Sequence, residues 1–525
     1  MLKLLVYVFI LVSTAAYGQS YTTLQWGLDK TATPYNFGAF IDGAWRNLGT
    51  VNSSGVWNVL GVSHTVTSYG AKCDGSTDDT IALQAAFTWL GSANNQSLTI
   101  PQGVCIYTSP LSIPATNLQN VSLIGTGASS TLLYSGASTT STLITLGTAN
   151  VSNGCSIVNG RIEGIRFISS TKMIAGDALK LNEWCQGQVV ATDFGQNLPS
   201  LNTNFYNAIH LNGGNVVKVD RYNVVAGNAG VIINGDATYQ FTDPMLFHGL
   251  VVNSAIGIEI AGGVGGLFAD MSDILENGAN VVVDTTQSAT SNLQLKFGST
   301  FHADATNPSL YPSSSQIGFE VKDGGGSQSY IYYMGSIATA SAQCFLIDNT
   351  IGSGWIVTFQ GAQVLNCHPP TASNGAIENQ NTNSRTSLQI IGSHFDVGGG
   401  SSNYFIYNNP SAPPVNIGMS VFAGYAIGGN VISGPWTGCY IITTSQTICN
   451  NDYPSPSPSQ FIFSSASNSN GVNIQMIGNG VTTPKKTMRV YNGTWQILNN
   501  SYSQPIIQSD DAGNAVSYTH LRAHE

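Results

Sequence analysis

Acidic residues are scarce in this chain, so the places where they crowd together stand out. Of 525 residues, 27 are Asp or Glu and 17 are Lys or Arg. The densest acidic set is Phe268-Ala269-Asp270-Met271-Ser272-Asp273-Ile274-Leu275-Glu276. Two carboxyl groups facing one groove can cleave a glycosidic bond: one protonates the leaving oxygen, the other activates water or attacks the sugar. Asp270 and Asp273 are the candidate pair. His248, an imidazole able to donate or accept a proton, is a candidate catalytic proton-transfer partner, and Asp243, a few positions before it, is a further candidate catalytic residue. Arg221, Tyr222, Tyr239 and Glu276 are candidate substrate contacts: charged groups bind hydroxyls, and flat rings stack on apolar pyranose faces. Phe247, Tyr330, Tyr332 and Tyr333 are further ring candidates. The competing reading is structural. Asp and Asn at turns cap backbone N–H groups, a lone histidine sits on a surface, and aromatics pack in a core. Glu259 alternates with Ile258 and Ile260, so it faces outward and reads as solvated.

Other chemistries lack their residues. There is no G-x-S-x-G and no P-loop, so acyl transfer and nucleotide chemistry have no support. There is no C-x-x-C and no H-x-H, and neither a metal nor a cofactor is expected. Between residues 65 and 450 the arginines are Arg161, Arg166, Arg221 and Arg385. Elimination next to a carboxylate uses a basic residue, so hydrolysis is favoured over lyase chemistry. A net charge of −10 argues against nucleic acid as a partner.

The elements that would hold these residues are short strands. Charged residues make up 8% of the chain against roughly 25% in ordinary soluble proteins. Hydrophobic residues make up 42%, which excludes disorder, and 58 glycines supply turns. Ala208-Ile209-His210-Leu211-Asn212, Gly230-Val231-Ile232-Ile233-Asn234, Gly257-Ile258-Glu259-Ile260 and Ala279-Asn280-Val281-Val282-Val283-Asp284 recur at steps of 22, 27 and 22 residues. Gly318-Phe319-Glu320-Val321 and Leu388-Gln389-Ile390-Ile391 continue the pattern. A period in the low twenties predicts a β-solenoid, in which no rung can bury its own apolar face and the core runs along the axis. Aligning the rungs on Gly230 and Gly257 stacks Arg221 on His248 and brings Asp270 and Asp273 near the same column one rung later. One helix is expected: Asp78-Asp79-Thr80 opens it, Ile81, Ala85 and Trp89 share its stripe, and Gly91 ends it.

Residues 66–114, VTSYGAKCDGSTDDTIALQAAFTWLGSANNQSLTIPQGVCIYTSPLSIP, resemble the opening of the pectate-lyase-like right-handed parallel β-helix superfamily. The resemblance is to its rhamnogalacturonase/epimerase-type domain, shared by secreted polysaccharide enzymes and phage tailspikes. It implies an all-β, single-stranded right-handed parallel β-helix whose Asp-Asp-Thr helix caps the N-terminal end, which gives Asp78 and Asp79 structural roles. Residues 24–50 and 489–513 are similar to modules of phage tail-fibre proteins. Polygalacturonase-like relatives would be expected to carry NTD, DD, HG and RIK. Here His248-Gly249 is present, NTD and RIK are not, and Arg161-Ile162-Glu163 does not replace RIK because it comes before HG and lacks the Lys.

The expected organisation follows. Residues 1–18 read as a signal peptide: Lys3, an apolar run from Leu4 to Val12, and Ala16-Tyr17-Gly18 at the cleavage site. An uncleaved anchor is the alternative. Then come an N-terminal fibre-like module (19–64), the β-helix (65–450), a Pro/Ser linker (451–460) and a small, truncated β module (461–516). Residues 517–525, SYTHLRAHE, read as translated sequencing adapter. Eight cysteines allow 105 disulfide connectivities. Cys439 with Cys449 is the best single pair, and buried free thiols are the alternative. The functional expectation is a secreted or periplasmic glycoside hydrolase acting on a polysaccharide, with no membrane association after signal cleavage. The alternatives are a homotrimeric phage-type tailspike or fibre and a non-catalytic adhesin.

Overall fold

Each apolar run of strand length pairs in parallel with its counterpart one turn of chain later: Ile209 with Val231, Val231 with Ile258, Ile258 with Val281 and Val281 with Phe319. The computed structural model describes most of residues 63–442. It also describes the strands Gln25–Asp29, Tyr35–Ile41, Ala44–Val51 and Trp57–Val59 before them, and strands between Gln446 and Ser517 after them. The expected leader, the linker 451–460 and residues 518–525 lie outside the described residues, as do segments such as 196–203, 236–240, 285–292 and 306–316.

The protein is a right-handed parallel β-helix, and the right-handed crossover is the one that packs twisted parallel strands back onto their neighbours. Fourteen strands form one face, here called the first face; Asp177–Cys185, Asn207–Asn215, Ala229–Asn234, Ile256–Ile260, Ala279–Asp284 and Ile317–Lys322 are among them. The remaining strands of the helix belong to a 25-stranded sheet that bends round a corner. The single strand Lys218–Val225 pairs with both Met245–Phe247 and Leu250–Val252. The corner falls between those two, so the sheet makes a second and a third face. Arg221, His248 and Met271 hold it with φ of 54°, 49° and 51°. A side chain there takes the left-handed conformation at some cost, which the flanking ladders outweigh.

The core is a set of stacks. Ile209, Val231, Ile258, Val281, Phe319, Phe345, Ile377 and Ile406 follow in register and are fully buried. Each such side chain contributes about 1.5–3 kcal/mol. Rings that meet in register stack: Phe319 and Phe345 have centroids 4.7 Å apart, Phe167 and Phe194 4.6 Å.

Two expectations are corrected. Leu388–Ile391 belongs to the strand Ser387–Ile391 of the other sheet; the first face continues through Gln343–Ile347 and Gly375–Asn379. Period-2 alternation is the same in every face, so it cannot say which face a run joins. The helix Thr80–Leu90 buries Leu83, Ala86, Phe87 and Leu90, while Ile81 is 88% exposed and Ala85 is exposed. The Asp79 side chain does not cap it. Its carboxylate accepts from the backbone N–H groups of Lys72 (2.6 Å) and Cys73 (3.0 Å), and so ties the preceding loop to the helix.

Disulfides join Cys73 to Cys105, Cys155 to Cys185 and Cys344 to Cys367, across 32, 30 and 23 residues. Loops of that size give about 3–4 kcal/mol each in the chain-entropy account. Cys439 and Cys449 lie opposite each other in the antiparallel register of Trp436–Ile442 and Gln446–Asn450. Among the described residues, no helix is long and apolar enough to cross a membrane.

Candidate functional site

At the corner, His248 stacks on Arg221 at the expected 27-residue offset, but the next residue in that column is Met271. Asp270 aligns with Phe247 and Asp273 with Leu250. The two aspartates therefore straddle the corner, one on each face, and do not converge on one groove. Asp270 is engaged in bracing a turn: its Oδ1 accepts from Thr300 N (3.1 Å), Thr300 Oγ1 (2.7 Å) and Met271 N (2.9 Å). Asp273 is exposed, with its Oδ1 3.6 Å from His302 Nδ1. His248 Nδ1 lies 2.7 Å from Asp220 Oδ1, and Lys218 Nζ lies 3.0 Å from Asp220 Oδ2. Burial alone would raise the Asp220 carboxyl; His248 and Lys218 outweigh it and hold Asp220 below the usual carboxylate range.

The structure removes Tyr222 from the candidate sugar contacts, because its ring is fully buried. A Cβ at Gly249 would come within 2.0 Å of that ring. The His-Gly pair is thus explained by packing: glycine leaves the room that Tyr222 fills. Tyr333 is also buried. Arg221 is exposed, Phe247 half-buried, and Asp243 lines a cavity on the second face. Tyr239 and Glu276 lie outside the described residues.

A different set of carboxyl groups lies in one column of the first face. The outward column runs in register through Lys180, His210, Ile232, Glu259, Val282, Glu320, Leu346 and Glu378. Glutamates occupy every second rung from Glu259 on. Glu259 is half-buried, contrary to its reading as a solvated residue. Burial, reinforced by the charge of Asp284, pushes its carboxyl up. Burial also raises Glu320, opposed by Lys322, whose Nζ is 3.3 Å from Glu320 Oε2. Burial raises Glu378, which accepts from the side-chain amides of Gln343 and Gln380. At the other end of the column, His210 bridges Asp177 (2.9 Å) and Asn234 Oδ1 (2.7 Å). Asp177 would be raised by burial, but His210, Asn207 and Lys180 hold it low.

Glu259 and Glu320 stand two rungs apart, about 9.6 Å along the axis at roughly 4.8 Å per rung. That is close to the spacing of about 6.5–9.5 Å that leaves room for a water between two catalytic carboxyl groups. A carboxyl kept protonated by burial can serve as an acid, and one beside an ammonium can serve as a base. The signal was present in the sequence as Glu following an apolar residue in alternate runs: Ile-Glu-Ile, Phe-Glu-Val and Ile-Glu-Asn.

Residues 63–300 match the family model of the rhamnogalacturonase A/epimerase, pectate-lyase-like domain. No curated protein matches the chain. Among solved structures, it is similar to the A-module of a mannuronan C-5 epimerase from Azotobacter vinelandii (12% identity, TM-score 0.48, covering 72% of this chain and 99% of that one). It is similar to tailspike protein 3 of bacteriophage CBA120 (14%, 0.43, 89% and 72%). It is also similar to a family 28 exopolygalacturonase from Yersinia enterocolitica (11%, 0.44, 78% and 81%). Over residues 63–300, then, the chain is similar to the pectate-lyase-like domain of the rhamnogalacturonase A/epimerase type.

Proposed function

We propose that the chain is an extracellular polysaccharide hydrolase whose catalytic pair is Glu259 and Glu320. The observation that carries this reading is the outward column of the first face, where Glu259 stands two rungs from Glu320; burial raises both carboxyl groups, and Glu320 alone has an ammonium, that of Lys322, at 3.3 Å to favour its charged form. The family description, which names a rhamnogalacturonase and an epimerase, supports a polysaccharide as the substrate class. Three disulfides support an oxidising compartment, as the leader-like residues 1–18 do.

The step balances. Glu259 gives its proton to the glycosidic oxygen as the bond to the anomeric carbon breaks. Water adds to that carbon from the opposite side and loses a proton to Glu320, so the configuration inverts. Solvent exchange returns both carboxyl groups to their starting states.

The test follows new reducing ends and ultraviolet absorbance together on neutral and acidic polysaccharides. Reducing ends without absorbance are expected, and Glu259→Gln and Glu320→Gln should each slow the reaction about 10²–10⁴-fold. Undiminished activity in both variants would reject the pair. Rising absorbance would mean elimination and reject the hydrolytic step.

A further inference from the structure

The second face carries features that the acidic column does not use. Lys218, Met245, Phe268, Lys296 and Tyr332 follow in register over five rungs, a strip about 19 Å long at roughly 4.8 Å per rung. Gln294 and Tyr330 lie beside it, also in register with each other. Phe268 is half-buried with one side against the Phe247 ring, edge-on at 5.4 Å, and Tyr332 is exposed. In the middle of the strip is a cavity of about 470 Å³, lined by Asp243, Pro244, Met245, Phe268, Gln294 and Lys296. That volume lies within the range of small-molecule sites, about 300–1,000 Å³.

The lining has the chemistry of a sugar subsite. The Phe268 ring offers an apolar platform for one pyranose face. The Asp243 carboxylate accepts hydroxyl hydrogens, the Lys296 ammonium donates to hydroxyl oxygens, and the Gln294 amide does both. Charge decides which sugars. Lys218 is paired with Asp220, and Asp243 and Lys296 balance each other across the cavity. The strip therefore has no cationic surplus for a polyanion. We propose that the second face is a non-catalytic binding strip for a neutral glycan chain, with one pyranose held in this cavity and its neighbours lying along the rungs towards Tyr332. A chain held there is kept close to the protein while the first face acts on it, and the effective concentration rises accordingly.

Binding can be read without catalysis, so the result does not depend on the hydrolytic reading. The full chain carrying Glu259→Gln and Glu320→Gln is run in native gels containing galactomannan, mixed-linkage β-glucan or polygalacturonate. At least one neutral glycan should retard it, and more strongly than polygalacturonate does. Phe268→Ala should weaken that retardation at least tenfold. Gln294→Ala with Lys296→Ala, both exposed and outside the core, should weaken it at least fivefold with an unchanged melting temperature. The strip is rejected if neither neutral glycan retards the protein, if polygalacturonate retards it most, or if the polar double variant migrates like its parent.

Discussion

His248 Nδ1 and Asp220 Oδ1 lie 2.7 Å apart across one rung, and Lys218 closes the group on the other carboxylate oxygen at 3.0 Å. The contact joins the corner residue of one turn to the strand of the turn before it, and so ties neighbouring rungs at the surface.

The Asp220 carboxyl is held below its ordinary value, so it binds its proton less tightly folded than unfolded. Its stabilisation is present above the unfolded value of about 3.9 and is lost as the pH falls through the lower folded value. Asp220→Asn should melt below the wild type near neutrality. The gap should close in strongly acidic buffer, as thermal melts across pH would show; a gap independent of pH would exclude the charge as its origin.

Glu259 behaves with the opposite sign. Its raised carboxyl favours the protonated form, so its contribution is best at low pH and is lost as the pH rises through the folded value. Glu259→Gln should therefore melt higher than the wild type near neutrality while losing activity. In the wild type, the alkaline limb of kcat/KM should lie above the ordinary glutamate value of about 4.3.

Gly249 faces the Tyr222 ring, with room for no side chain. Gly249→Ala should cost about 1–3 kcal/mol through overpacking, measured by urea unfolding. Combining it with Tyr222→Leu should recover part of that loss. Additive losses would show that the two residues do not share this space.

Cys439 and Cys449 oppose each other in the terminal antiparallel pair. Mass mapping of non-reduced peptides should find them bridged, alongside the three bridges described above. Removing Cys344–Cys367 by replacing both residues with Ser should cost about 2–5 kcal/mol.

The apolar alternation of 208–212, 230–234 and 257–260, with glycine and asparagine between, determined the solenoid by itself, because a strand with one apolar face must stack to bury it. The motif at 66–114 likewise located the start of the β-helix and its capping helix. Alternation also determined that Glu259 points outward. It did not determine what surrounds Glu259, since partial burial comes from neighbouring rungs and connections remote in sequence. The separation of Asp270 from Asp273 was decided by tertiary structure alone. Met271, at φ 51°, turns the chain between them, and nothing about a methionine announces a left-handed corner. The same holds for Tyr222, whose place in the core depends on a glycine 27 residues later. Rungs of unequal length set which residues stack, and that register is decided only when the chain is folded.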